Sequence, residues 1–391
     1  MGAIVPRQSD EIETVSDARS RAWAVIATMA LTMSAAAFAA PRAAAADGAG
    51  QHDFDFNFGT WRTHVKRLLH PLTESPAWAE YDGTSVVSKV WDGRASLLEL
   101  EVDGPAGRLE GLGIRLYNPD SHQWSLNWAS SVDGEFQPPM IGQFVDGRGE
   151  FVDHEIFSAK SILSRNAFSE ISTDFARFEQ AFSDDGGRSW ETNWVMTFSR
   201  TPANAQATSK TGAKGHIATR PAAGATATGD DGRHDFDFAF GRWKTHIMRL
   251  KDPLSGSTSW IDYDGTHTIR KVWGGRANWG ELEADGPAGH IEAMSPRLYN
   301  PQTHLWSVSY GNPRDGSLSR PVVGQFKNGQ GEFYGEDTFK GRLILVREIY
   351  SRIDAKTRRL EVAYSGDGGR TWETNWRMTD TFISAATDTP N

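Results

Sequence analysis

Cysteine is missing from all 391 residues. That absence removes disulfide frameworks, thiolate zinc sites, iron–sulfur clusters, cysteine nucleophiles and the acylated cysteine of lipoproteins. Hydroxyl, histidine and carboxylate chemistry is what remains. A basic surface is missing too: 41 Lys and Arg stand against 50 Asp and Glu, a net charge of −9. Nucleic acid and anionic membrane surfaces are therefore not expected partners. The acidity is uneven, with 13 cationic against 23 anionic side chains over residues 52–200 and 20 against 20 over residues 234–391. What the chain has in quantity is 15 Trp and 39 Gly, a mixture that favours pleated, turn-rich, all-β structure.

Residues 22–40, AWAVIATMALTMSAAAFAA, form an Ala-rich apolar stretch preceded by Arg19 and Arg21. Two A-x-A sites follow, at Ala37-Phe38-Ala39 and Ala44-Ala45-Ala46. Residues 1–46 therefore read as a cleaved secretory leader, which places the mature chain in a periplasm or outside the cell with no integral membrane span. The stretch is only modestly apolar for a membrane anchor, the competing reading.

The dominant feature is a duplication at a fixed offset of 182 residues, without gaps. HDFDFNFGTW (52–61) returns as HDFDFAFGRW (234–243), DGPAG (103–107) as DGPAG (285–289), and RLYNP (115–119) as RLYNP (297–301). DDGGRSWETNW (184–194) returns as GDGGRTWETNW (366–376). A unit of this length is too long for a solenoid repeat or propeller blade of about 20–50 residues, so each copy is a domain, at 52–200 and 234–383. Residues 201–233 lack aromatic side chains and are rich in Ala, Thr and Gly, the composition of a flexible linker.

Within a repeat, β-rich runs are punctuated every eight to twelve residues by turn signals such as Asp92-Gly93, Asn118-Pro119-Asp120 and Asp146-Gly147. About ten strands result, near 60–68, 78–91, 94–103, 107–118, 122–130, 139–146, 149–157, 162–172, 175–183 and 189–199. Successive hairpins that leave no free edge close into an antiparallel barrel. The fold expected is two tandem all-β barrels.

Phe58-Gly59-Thr60-Trp61 and Phe240-Gly241-Arg242-Trp243 resemble the G-x-W signature on the first strand of lipocalin-like (calycin) barrels. The whole repeat is similar to bacterial lipocalin-like domains of unknown function. The resemblance implies a barrel with an interior cavity, with the Trp closing one end; it implies no reaction. Phe151-Val152-Asp153-His154-Glu155 departs from the pattern that the second copy keeps at 331–337, which points to different roles for the two barrels.

Other motifs have a structural reading. Ser183-Asp184-Asp185-Gly186-Gly187-Arg188-Ser189-Trp190 and Ser365–Trp372 match the Asp-box hairpin, in which Asp and Ser bind the turn backbone and Trp packs beneath it. His52-Asp53-Phe54-Asp55 and its twin His234-Asp235-Phe236-Asp237 place a His beside two carboxylates. They lack a complete ligand set, so they read as plugs for the barrel ends, with no metal expected. No cofactor motif is present, and none is expected.

The candidate site residues are polar or aromatic side chains retained in both copies inside strand patterns. The expected ligand-binding wall is Trp91, Trp124 and Trp128 with Trp273, Trp306 and Tyr310. Arg115, Tyr117 and Arg165, with Arg297 and Arg347, are expected to orient the ligand together with Glu99 and Glu281. Glu99, His64, Glu281 and His246 are also the candidate bases should the cavity do chemistry. The first expectation is an exported two-barrel protein holding a small, partly apolar molecule in its lumen. The alternatives are a cofactor-independent isomerase, cyclase or hydrolase in the same cavity, and a surface module for protein or glycan. An open lumen favours the first two, and a filled one favours the third. The face of each strand and the oligomeric state stay open at this level.

Overall fold

The computed structural model describes residues 50–200, 231–352 and 354–386. The leader 1–46 and all but the last three residues of the expected linker lie outside the described residues. The first repeat runs through β1 Gly59–Leu68, β2 Trp78–Val90, β3 Ala95–Gly104, β4 Gly107–Asn118 and β5 Gln123–Ser130, then β6 Met140–Val145, β7 Arg148–Phe157, β8 Lys160–Ser169, β9 Phe175–Ser183 and β10 Glu191–Ser199. Each strand pairs antiparallel with the next, and β10 returns to β1, so the ring is closed.

The second repeat is built alike from β11 Gly241–Leu250, β12 Trp260–Val272, β13 Ala277–Gly286, β14 Gly289–Asn300 and β15 Leu305–Val308, then β18 Val322–Lys327, β19 Gln330–Phe339, β20 Arg342–Arg352, β21 Thr357–Ser365 and β22 Glu373–Ser384. The two-residue strands β16 Gly311–Asn312 and β17 Ser317–Leu318 form a hairpin hung on β14. Pairing of β13 with β14 and of β11 with β22 closes this ring of ten main strands. Two ten-stranded antiparallel barrels fit a calycin-like fold.

Strand alternation sets inside and outside. On β1, Trp61, Thr63 and Val65 are buried while Arg62 and Lys66 face solvent. The HDFDF segment plugs the same end. Phe54 enters the lumen 5.0 Å from the rings of both Trp124 and Phe144, and 5.3 Å from Phe168. Trp61 Nε1 donates to Asn57 O at 2.7 Å and Trp124 Nε1 to Gly50 O at 2.9 Å, so two buried indoles tie the plug to the wall. Phe236, Trp243 and Trp306 repeat the arrangement. The Asp box does the turn work expected of it: Asp185 Oδ1 accepts from the Arg188 and Ser189 amides, and Trp190 Nε1 donates to Gly187 O.

The two barrels also pack on each other. Leu97, Leu112, Ile114 and Leu116 point away from the first lumen and are buried with Trp273, Trp279, Met294 and Leu298 of the second. The contact is reciprocal about the 182-residue offset. Arg94 pairs with Glu292 at 2.7 Å, and its counterpart Arg276 pairs with Glu110. A Cβ on Gly134 would stand 2.1 Å from Tyr299 O, and one on Gly316 would stand 2.5 Å from Tyr117 C, so both turns need glycine to let the backbones approach. This is the isologous geometry of a symmetric dimer within one chain. Trp91 and Trp273, expected on the lumen wall, belong to this contact instead, because the strand turns outward at these positions.

Trp279 is 1% exposed at the centre of the contact. Trp279→Ala is expected to lower stability by about 3–5 kcal/mol in urea unfolding, as for other buried aromatic truncations. A loss below about 1 kcal/mol would show that the barrels do not depend on each other.

Candidate functional site

The structure divides the candidate residues by strand parity. Arg115, Tyr117, Trp124 and Trp128 face the first lumen, and Arg297, Trp306 and Tyr310 face the second. The others face out. Glu99 bridges the inter-barrel contact to Arg270 at 2.7 Å, and Glu281 accepts from Trp279 Nε1 at 2.6 Å. Both alternate with lumen-facing leucines and so fall on the outer face. His64 and His246 sit on the solvent side of β1 and β11, 3.0 and 3.1 Å from Asp82 and Asp264. Arg165 and Arg347 lie over the Asp-box indoles Trp190 and Trp372 at 4.3 and 4.8 Å. None of these six reaches a lumen.

The first lumen is packed with rings. Phe54, Phe144, Phe151 and Phe168 lie within 5.0–6.3 Å of one another, and Trp128 lies flat against Gly111, where a Cβ would stand 2.0 Å from the indole. Arg115 crosses this core 4.4 Å above the Phe54 ring and donates to Asn57 Oδ1 at 2.8 Å. Burial lowers its pKa to about 9. Toward the other end, Asp153 and Glu155 turn inward on β7. Burial and the neighbouring Glu155 raise Asp153 to about 6.

The second lumen keeps the fold and changes the chemistry. Ser85, Asn166, Ala176 and Phe198 of the first repeat are replaced by His267, Glu348, Arg358 and Asp380, all buried. Asp380 accepts from Thr245 Oγ1 at 2.6 Å and from Arg358 Nε at 2.9 Å. His267 Nδ1 lies 3.3 Å from Asp380 Oδ2. Burial alone would raise Asp380, but the hydrogen bond from His267 and the charge of Arg358 hold it well below the carboxylate range. His267 is depressed by burial to about 4, so its imidazole is neutral. The same Nδ1 also lies 3.3 Å from Arg358 Nη2, and Nε2 has no hydrogen-bond partner among the described residues. A cavity of about 10 Å³ adjoins this group, lined by His267, Arg297, Tyr350, Arg358 and Asp380; that is room for about one water.

Deeper in the same lumen Glu348 is raised by burial and accepts from the hydroxyls of Tyr350 and Tyr310 at 2.7 and 2.9 Å. Arg297 donates to Asn278 Oδ1 at 2.9 Å. Arg297 and Tyr310 are among the sequence candidates; His267, Glu348, Arg358 and Asp380 are not, because they are ionisable in the second copy alone. Their signal is in the sequence as four small or apolar residues turned ionisable at lumen parity.

At the mouth of the second barrel, opposite the plug, a groove of about 470 Å³ opens between Arg249 on β11, His290, Ile291 and Glu292 on β14, Trp376 on β22, the turn Asn312-Pro313-Arg314, and Arg94 of the first repeat. Its size falls within the range of small-molecule sites, about 300–1,000 Å³. Among the described residues no group of three or more His, Asp or Glu side chains is placed to hold a metal ion, and no helix is long and apolar enough to cross a membrane.

The chain matches no known protein-family model and no curated protein. Among solved structures it is similar to an S-type phycobiliprotein lyase from Guillardia theta, at 10% identity over 39% of this chain and 92% of that one, with a TM-score of 0.29. It is also similar to a protein of unknown function from the DUF3598 family of Nostoc punctiforme, at 12% identity over 85% of this chain and 99% of that one, with a TM-score of 0.26. At these scores neither transfers a function.

The His267 environment sets a pH dependence. Its native pKa of about 4 lies below the ordinary 6.5, so the unfolded chain takes up the proton first. Stability held above pH 6.5 is lost as pH falls toward 4, by up to about 1.4 kcal/mol per pH unit. Urea midpoints of the native chain and His267→Gln at pH 7 and pH 5 should show the smaller loss in the variant. Equal losses would mean that the imidazole is not held neutral.

Proposed function

We propose that the chain is an exported, lipocalin-like binding protein in which the second barrel holds a small, partly apolar molecule and the first is its rigid support. The observation that carries this reading is the groove of about 470 Å³ at the second mouth, with Trp376 and Ile291 beside a rim of polar groups. The filled lumens weigh against binding deep inside and toward a surface site, so the ligand is placed at the open mouth, the interior cavity having room for about one water. The same limit weighs against catalysis at His267 Nε2: the imidazole is oriented by Asp380 as a base would be, but no substrate fits beside it. The supports for a lipocalin-like identity are the G-x-W strand, the plug and the closed ring. Export rests on the apolar leader at 22–40.

Native mass spectrometry of the full chain purified from its source should show one releasable small molecule per chain, and Trp376→Ala should lose it. Two molecules per chain would assign binding to both barrels. Retention in Trp376→Ala would move the site away from the mouth.

A further inference from the structure

We infer that the groove at the mouth of the second barrel selects an anionic molecule carrying a planar apolar ring, an inference that rests on the mouth being the binding site. Three arginines line the groove against a single carboxylate. That carboxylate, Glu292, is already neutralised by Arg94 at 2.7 Å. Arg249 and Arg314 are exposed, and neither guanidinium has a carboxylate partner among the described residues. His290 also lines the groove, with its Nδ1 committed to Asp285 at 2.8 Å, a hydrogen bond that raises its pKa. The groove therefore carries net positive charge on a chain whose total is −9.

The cations are placed on a firm frame. Arg249 is the register partner of Trp376 across β11 and β22, so a guanidinium and an indole stand side by side on adjacent strands. Arg314 projects from a tight turn in which Asn312 Oδ1 accepts its amide at 3.0 Å, and Pro313 presets the backbone. A guanidinium pair recognises carboxylate, sulfonate or phosphate oxygens through directed N–H donors, while the indole and Ile291 take a flat apolar ring.

The first repeat keeps Arg67 and Trp194 at the places of Arg249 and Trp376, and Arg276 reaches Glu110 across the contact, but the rest of the set is changed. Ser131 and Val132 stand where Pro313 and Arg314 do, and Arg108, in the place of His290, is tied to Glu101. The groove is also composite, because Arg94 reaches it from the first repeat only through the inter-barrel contact. A single repeat would have to lose that residue from its site, which gives the duplication a consequence for binding.

Isothermal titration of the full chain with three probes tests the inference: naphthalenesulfonate, the neutral naphthalenemethanol and inorganic phosphate. Naphthalenesulfonate should bind at least about tenfold tighter than either of the others, with affinity falling as salt rises. The double variant Arg249→Gln/Arg314→Gln alters two exposed side chains. It should lose at least about tenfold for naphthalenesulfonate and leave naphthalenemethanol unchanged, with an unaltered far-ultraviolet circular dichroism spectrum. Equal affinity for the two ring probes, both lost in Trp376→Ala, would overturn the anion preference and keep the mouth as the site. Ring-probe binding unmoved by either variant would overturn the mouth itself.

Discussion

Ten antiparallel strands hydrogen-bonded into a ring leave each side chain one of two directions, into the lumen or out of it, and the rest of this molecule is built on that parity. Because every edge is paired, no strand can slip by one residue without turning its whole buried set outward. Phe54 and Trp61 lock the register at one end, each through a buried ring and a hydrogen-bonded backbone. Along β3 and β4 both directions are buried, one against the lumen and one against the other barrel. That double burial turns two domains into one body and brings Arg94 to the edge of its neighbour's mouth.

On this common frame the repeats have diverged in opposite senses. The first fills its interior with aromatic rings, the inexpensive way to stabilise a lumen. The second keeps an interior arginine, Arg297, where the first has Arg115, and puts His267, Glu348, Arg358 and Asp380 in place of Ser85, Asn166, Ala176 and Phe198. Isolated charges there would each cost several kcal/mol. The charged groups are partnered, Arg358 with Asp380 and Ala239 O, Glu348 with two tyrosines and Arg297 with Asn278, while His267 Nε2, Arg297 Nε and Asn278 Nδ2 are left without a hydrogen bond among the described residues. The first repeat closes the same ring with Ser85, Asn166, Ala176 and Phe198 at these positions, so the four ionisable side chains are not required by the fold. It belongs to the barrel whose mouth carries the unpaired arginines.

Much of the architecture was legible. Turn dipeptides and alternating apolar residues marked the ten strands of the first repeat to within a few residues, because a pleated strand and a tight turn are local structures with local signatures. The plug role of HDFDF and the turn role of the Asp box followed from the same local chemistry. The site was far less legible. Glu99 and Leu98 are adjacent in sequence and face opposite ways, and nothing local says which is inside. Near-continuous apolar runs such as Ala95–Leu98 carry the signal of a strand buried on both faces, but the partner that covers the outer face lies about 180 residues away.

The sequence by itself determined the all-β class, the duplication and the strand and turn positions, since each depends on neighbouring residues or on the fixed offset. Tertiary structure alone decided that Glu99, His64 and Arg165 face outward, that the first lumen is filled, and that Arg94, Arg249, Arg314 and Trp376 share one groove. The reason is physical: ring closure and barrel-on-barrel packing choose among faces that are energetically equivalent in an isolated strand, and they bring together residues that no local rule connects.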